Sequence, residues 1–191
     1  VSTYHVPILL EQQGFLTQLS QGLKIDKQSI APSLVTKGER IWRQWKTLTT
    51  SQEHVYETVS IALVGKYVSL HDSYLSVIKS LEHAAMACRR KLNIVWVDAT
   101  NLEQETRESN PEAFHKAWHD VCTAEGILVP GGFGARGTEG MIAAAHWART
   151  KGKPYLGICL GMQVAVIEYA RNVCGISGAH SIELDQQTSD P

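Results

Sequence analysis

No apolar run in this chain approaches the roughly 20 residues needed to cross a bilayer as a helix. Nor does the charged, apolar and small-residue succession of a secretory leader open it. Charge of one sign is not in excess: a formal net charge of −1 leaves no electrostatic argument for nucleic acid or an anionic membrane as partner. Cysteine is sparse. The four residues, Cys88, Cys122, Cys159 and Cys174, form no Cys-x-x-Cys pair, which indicates neither a zinc site nor a disulfide framework. A reducing, cytoplasmic setting fits them best. The phosphate-cradling Gly-x-x-x-x-Gly-Lys-[Ser/Thr] run is missing although Lys66 follows an apolar stretch, so no P-loop is expected. His-Glu-x-x-His is missing too. His115 and His119 lie four apart, but Lys116 and Asp120 beside them read as a solvated helix face, and without a third ligand no metal site is expected. His5, His54, His71, His83, His146 and His180 are scattered and carry no local catalytic signature.

With 43% hydrophobic and 19% charged residues over 191 positions, the composition suits one globular domain with a core, plus an appendage. The chain opens on Val1 and stops at Asp190-Pro191 without a closing element, and it is expected to be a piece of something longer. Val1 to about Thr58 shows no strong periodicity. Within it, Val6-Pro7-Ile8-Leu9-Leu10 is a short apolar run, and Ile41, Trp42 and Trp45 sit at helical spacing in a helix predicted from Gly38 to Leu48. Thr49-Thr50-Ser51-Gln52-Glu53 reads as a linker. The two tryptophans are expected to pack rather than to bind. Residues 1–58 are therefore read as the end of one domain with its connection, and residues 59–191 as a second domain, incomplete at its C-terminus.

From Ser60 the pattern changes. Ile61-Ala62-Leu63-Val64 is a continuous apolar run, as in a strand buried on both faces. Asp72 or Ser73 can cap a helix whose stripe is Val77, Ile78, Leu81, Ala84, Ala85 and Cys88, ending in the basic Arg89-Arg90-Lys91. Ile94 to Val97 is a second strand, and Asn110-Pro111-Glu112 opens a helix with a cap and an N1 proline. Gly126 to Val129 is a third strand, Met141 to Thr150 a helix, and Tyr155 to Ile158 a fourth, buried strand. Strand and helix alternate, so the expected fold is α/β: a mostly parallel, doubly wound sheet with helices on both faces. Ligands in such sheets collect at the carboxyl ends of the strands.

Two stretches fall at such ends. Gly157-Ile158-Cys159-Leu160-Gly161 lies between a strand and a helix predicted from Leu160 to Val173, the arrangement of a nucleophile elbow with Cys in the central place. A thiolate is a strong nucleophile, and a helix N-terminus sets a positive dipole end and free N–H groups beside it. The second stretch, Gly132-Phe133-Gly134-Ala135-Arg136-Gly137, is literally Gly-x-Gly-x-x-Gly. A dinucleotide fingerprint belongs to the first βαβ unit with an acidic residue about 20 positions on. Here it follows the third strand, and the Cys159 elbow occupies the downstream place. The glycines are better used to let backbone N–H groups approach a substrate carbonyl and, with the N–H of Leu160, form an oxyanion hole. A Cys nucleophile needs a base, usually His held by a carboxylate. No residue after Cys159 stands out as one, His180 being the sole later histidine.

Together, Pro130-Gly131-Gly132-Phe133-Gly134 and Gly157-Ile158-Cys159-Leu160-Gly161-Met162-Gln163 resemble the class I (triad) glutamine amidotransferases. Closer still is the resemblance to the CTP synthase family in its eukaryotic, fungal-like forms. It runs through Ile61 to Tyr67, Asp72-Ser73-Tyr74, Val77-Ile78-Lys79 and Gly134 to Gly140 as well as the elbow. It covers essentially the whole chain, since Tyr4-His5-Val6-Pro7 resembles the end of that family's N-terminal synthetase (amidoligase) domain.

The resemblance implies an ATP-dependent amination of UTP to CTP with L-glutamine as nitrogen donor, this chain carrying the half that hydrolyses glutamine through a Cys thioester. It makes Cys159 the nucleophile, Gly131, Gly132 and Leu160 the oxyanion hole, and Gly132, Leu160, Gly161, Met162, Gln163 and Glu183 the glutamine-binding positions. Glu183 would pair its carboxylate with the substrate ammonium. The family's His-Glu pair and its Arg for the glutamine carboxylate are expected beyond Pro191, and its ATP, UTP and Mg2+ sites before Val1, so no cofactor is expected in this chain. Little or no CTP formation and at best weak glutamine hydrolysis are expected of this polypeptide alone. GTP activation, CTP feedback, homotetramers and filaments are implied by the family only. Two alternatives stay open: a related Cys hydrolase of γ-glutamyl or peptide bonds, and a non-catalytic assembly module.

Overall fold

A computed structural model describes residues 3–25, 30–52, 55–188 and 190. Val1–Glu57 and Thr58–Pro191 form two compact units. The first is helical, with α1 (Val6–Gln12), α2 (Phe15–Gly22) and α3 (Pro32–Gln52). Trp42 Nε1 donates to Glu11 Oε1 at 2.7 Å and Trp45 Nε1 to the Tyr4 carbonyl at 3.0 Å, so both indoles fasten α3 to the N-terminal turns. The helix outruns its predicted span. It starts on Pro32, a residue suited to a first helical position, and continues through Thr49–Gln52, which the polar composition had marked as linker. The Thr47 and Thr49 hydroxyls bond back to the Arg43 and Trp45 carbonyls, each at 3.0 Å, which accommodates them inside the helix. Glu53 and His54 lie outside the described residues.

The second unit is built on four parallel strands in the order β2-β1-β3-β4: β1 (Thr58–Gly65), β2 (Lys91–Asp98), β3 (Gly126–Val129) and β4 (Tyr155–Gly157). Between β1 and β2 comes α4 (Leu75–Ala87). Between β2 and β3 come a 3-10 turn at Ala99–Leu102, α5 (Gln104–Ser109) and α6 (Pro111–Thr123). Then α7 (Thr138–Lys151) precedes β4 and α8 (Leu160–Asn172) follows it. The sheet grows both ways from β1, so the right-handed crossover rule puts the helices of its two halves on opposite faces. They are found there. Ala62, Val64, Ile127 and Val129 face a core with residues of α6, α7 and α8, while the alternate Leu63 and Leu128 face Tyr74 and the α4 side chains Val77, Ile78 and Leu81. The winding reverses between β1 and β3, whose carboxyl ends are Gly65 and Val129.

Four local expectations are corrected. Asp72 and Ser73 do not cap α4; they lie in a 3-10 turn at His71–Tyr74, because buried Tyr74 accepts the Lys66 and Tyr67 N–H groups on its phenol oxygen at 3.1 and 3.2 Å. Ala84 and Cys88 of the predicted stripe are exposed, since α4 meets the sheet along a narrower strip. Lys91 begins β2 rather than ending the helix, because Arg89 turns the chain with φ +52°. Tyr155 to Ile158 is not a buried strand: among the described residues no element covers the α4 face of the sheet at β4, and Leu156 and Ile158 are exposed by 54% and 40%.

Two contacts seat α8. The alanine-type methyl absent from Gly161 would collide with the Val129 carbonyl, so the first turn of α8 rests directly on β3. Farther along, Glu168 is buried at 2% exposure, with Arg149 Nε and Nη2 donating to its carboxylate at 2.9 and 2.7 Å, Asn172 Nδ2 at 3.2 Å and His146 Nδ1 2.8 Å away. The Arg149 bonds, then those of His146, hold its carboxyl below the usual range against the cost of burial. We predict that Gly161→Ala costs about 3 kcal/mol in urea unfolding, against about 1–2 kcal/mol for Gly152→Ala, which meets only its left-handed φ of +63° and open space. Glu168→Ala is expected to cost roughly 2–3 kcal/mol near neutral pH. A depressed carboxyl stabilises above its unfolded-state value and loses that contribution as pH falls through the folded one. The gap to the parent protein therefore narrows as pH falls below about 4 in the same measurement.

Candidate active site

The elbow begins with the three-residue strand β4. After β4 the Ile158 N–H still pairs with the Val129 carbonyl at 2.9 Å, holding the chain against β3 for one more residue. At Cys159 the backbone then breaks direction, with φ +54° and ψ −108°, a left-handed φ on a residue with a side chain. Such a conformation costs on the order of 1–3 kcal/mol and persists only where its surroundings enforce it. Here the enforcement is visible. Gly161 N–H returns to the Ile158 carbonyl at 3.0 Å, and Met162 and Gln163 return to the Cys159 carbonyl at 3.0 and 3.1 Å, so α8 starts at once. Tyr155 Oη donates to the Gly161 carbonyl at 2.8 Å, and burial raises that phenol's pKa, keeping it a donor. A side chain on Gly157 would strike the Gly161 carbonyl. The two glycines flanking Cys159 are thus required by close approach, and the Cys side chain is left exposed.

Across from it lies the loop after β3. A Cβ built on Gly131 would stand 3.5 Å from Cys159 Cβ and 3.8 Å from Sγ; one on Gly132 would stand 3.6 Å from Leu160 Cδ2. The structure therefore brings together Cys159, Gly131, Gly132 and Leu160. Leu160 buries its side chain and occupies the first helical position, where an N–H has no intrahelical acceptor. Gly161 is buried against β3. Met162 is exposed and Gln163 half-buried on the first turn of α8. Glu183 lies in the short turn after α8, where it is exposed and its N–H bonds Ser181 Oγ at 3.3 Å. His180 takes the Ser181 N–H on Nδ1 at 2.9 Å and stands 3.7 Å from Glu139 with Nε2. Glu139 is also held by Arg171 at 2.9 Å, so His180 belongs to a cluster at the start of α7. His115 and His119 are exposed on α6, and among the described residues no group of three or more His, Cys, Asp and Glu could hold a metal ion.

One residue of the site was given no role in the sequence reading, which tested it against the P-loop pattern and otherwise included it only in the Ile61–Tyr67 resemblance. Lys66, at the carboxyl end of β1, is 3% exposed, and its Nζ donates to the Phe133 carbonyl at 3.4 Å, to the Gly134 carbonyl and to Thr138 Oγ1 at 3.3 Å. Its stem passes under the loop, with Cδ 3.3 Å from the Cβ position of Gly132. Burial, reinforced by the Arg136 charge, pulls its ammonium below the usual lysine range, with Glu103 opposing. Arg136 in turn donates to the Lys66 carbonyl and to Thr100 Oγ1 at 3.1 Å, and stands 3.5 Å from Asp98. The available signal was positional: a lysine straight after Gly65, at the place where the sheet reverses its winding.

Known proteins carry the same layout. Residues 69–190 match the family profile described as glutamine amidotransferase class-I. A CTP synthase of Schizosaccharomyces pombe is 59% identical over 186 residues, 97% of this chain and 31% of the relative. A CTP synthase of Neurospora crassa is 58% identical over 182 residues, 95% of this chain and 31% of that one. The chain thus spans about a third of the length of the curated relatives it matches. A solved structure, a Trypanosoma brucei CTPS glutaminase domain with bound acivicin, superimposes with a TM-score of 0.61 at 45% identity, covering 70% of this chain and 48% of the other. A strained Cys at a strand-to-helix elbow, faced by a glycine loop on a parallel sheet and matched over most of the second unit, places this chain in the class I glutamine amidotransferase family.

Proposed function

We propose that the chain is the glutaminase part of a CTP synthase, preceded in residues 1–58 by the end of the synthetase domain, with residues 59–191 forming part of the amidotransferase domain. The observation that carries this reading is the Gly131 loop standing within 3.8 Å of the Cys159 Sγ at the elbow, when its missing methyl is built in. Cys159 attacks the amide carbon of glutamine. The tetrahedral oxyanion is taken by the N–H groups of the Gly131–Gly132 turn and of Leu160, preorganised donors of the kind worth about 10²–10³ in rate. Collapse expels ammonia and leaves a γ-glutamyl thioester, which water cleaves to glutamate and free thiol. Met162 and Gln163 line the first turn beside the substrate, and Glu183 holds its ammonium. The proton relay is a His held by a carboxylate beyond Pro191; His180, engaged with Ser181 and Glu139, has no part in it.

In the complete protein the ammonia aminates UTP at the expense of ATP with Mg2+ in the synthetase domain, under GTP activation and CTP feedback, in a homotetramer that forms filaments. These assignments rest on the family resemblance. Among the described residues no helix is long and apolar enough to cross a membrane; a cytoplasmic place is part of this proposal. The test uses the full-length protein supplied with either nitrogen donor. Cys159→Ala should lower glutamine-dependent CTP formation by at least about 10³-fold while ammonia-dependent formation stays within about twofold of the parent. Persisting glutamine-dependent turnover would overturn the assignment.

A further inference from the structure

A buried ammonium is costly unless its three donors are satisfied, and a methionine of similar volume would fill the same space without that cost. Lys66 nevertheless spends all its reach on one loop: the Phe133 and Gly134 carbonyls and Thr138 Oγ1. That loop is the one facing Cys159. It leaves β3 through Pro130, which is fully buried and fixed in φ, and then runs through two consecutive glycines. Glycine peptides rotate easily, since no Cβ resists the change. A rotated Gly131–Gly132 or Gly132–Phe133 peptide would turn a carbonyl toward the thiol in place of an N–H, and an oxyanion would meet a negative dipole.

What restrains that rotation lies on either side of the glycines. Pro130 holds the near end. At the far end, peptide planarity makes each carbonyl direction fix the next N–H: with the Phe133 and Gly134 carbonyls drawn to the ammonium, the Gly134 and Ala135 N–H groups point away from it. Between the two anchors, the Lys66 stem runs close beside Gly132: a Cβ built there would stand only 3.3 Å from Lys66 Cδ, tighter than ordinary contact. Arg136 ties the loop's outgoing limb to the carbonyl of the same lysine. Thr138, the third acceptor, is the first residue of α7, so the clamp spans the loop from glycines to helix.

Building on the glutaminase reading above, we propose that Lys66 is a positioning residue for glutamine hydrolysis: it clamps the Gly131–Gly132 loop in the orientation that presents N–H groups to the oxyanion. Its ammonium is engaged by the loop and Thr138, so its removal should act on the transition state more than on substrate binding. In the full-length protein, Lys66→Met is expected to lower glutaminase kcat by about 10–100-fold with KM for glutamine changed less than about threefold. Ammonia-dependent CTP formation should be unchanged. A tetrahedral mimic supplies the readout that a stability role would leave still: glutamate γ-semialdehyde, whose aldehyde adds the Cys159 thiol to give a hemithioacetal oxygen in the hole. Its inhibition constant should rise in step with the fall in kcat/KM.

Full kcat in Lys66→Met, or a lowered kcat with an unaltered aldehyde inhibition constant, overturns the proposal. A rise in KM alone does so too, since that would mark a binding defect. If Lys66→Met fails to fold, as loss of ammonia-dependent activity would reveal, Lys66→Leu, shorter and likewise without donors, carries the same comparison. Cys159→Ala runs in parallel. If it retains glutamine-dependent activity the glutaminase reading itself fails, whereas its loss together with an unaffected Lys66→Met sinks the clamp alone.

Discussion

The approach of α8 to β3 is the contact on which the site depends. Backbone meets backbone at Gly161 and the Val129 carbonyl, a distance that admits no side chain. Because the helix starts there, the chain leaving β4 has a single residue in which to turn, and that residue is Cys159, with φ +54°. The thiol is exposed for the same reason: a residue at the crest of so tight a turn has its neighbours below it. Strain of on the order of 1–3 kcal/mol is tolerable because the cage around it is made of backbone bonds and a buried helix. Glu168, fastened by Arg149, holds the other end of that helix, so the elbow is braced from both ends of α8.

Sheet winding supplies the second requirement, a partner for the thiol. The order β2-β1-β3-β4 reverses between β1 and β3, so the loops leaving those strands diverge and open a crevice. The loop after β3 turns toward Cys159, and Lys66 at the end of β1 reaches under it. Elbow, glycine loop and lysine come from three adjacent strands, and none of them is close to another in sequence. The proposed acyl chemistry would need that convergence, because an oxyanion is best met from two sides at once.

Much of this was legible in the residues. Ile61 to Val64, Ile94 to Val97 and Gly126 to Val129 are continuous apolar runs because their strands are covered on both faces; a strand with one wet face would alternate apolar and polar residues instead. The elbow was legible because close approach demands glycine on both sides of Cys159. Tertiary effects hid the rest. Tyr74, pulled under the sheet by its phenol, displaced the start of α4 from the capping residues Asp72 and Ser73. Hydroxyls bonding back to carbonyls let polar Thr49 continue α3. Leu156 and Ile158 looked like core, yet which helix covers which strand is not encoded locally, and among the described residues nothing covers the α4 face at β4. Lys66 was given no role because a lysine reads as surface until its acceptors are known, and those acceptors lie about 70 positions away on a glycine loop.

The central claim is that Cys159 is the residue that attacks a glutamine side chain, and covalent capture tests it most directly. The full-length protein is treated with acivicin, with and without excess L-glutamine, and mapped by peptide mass spectrometry. The account predicts one adduct, on Cys159, suppressed by glutamine. An adduct on Cys88, Cys122 or Cys174, or modification of Cys159 that glutamine does not slow, would contradict it.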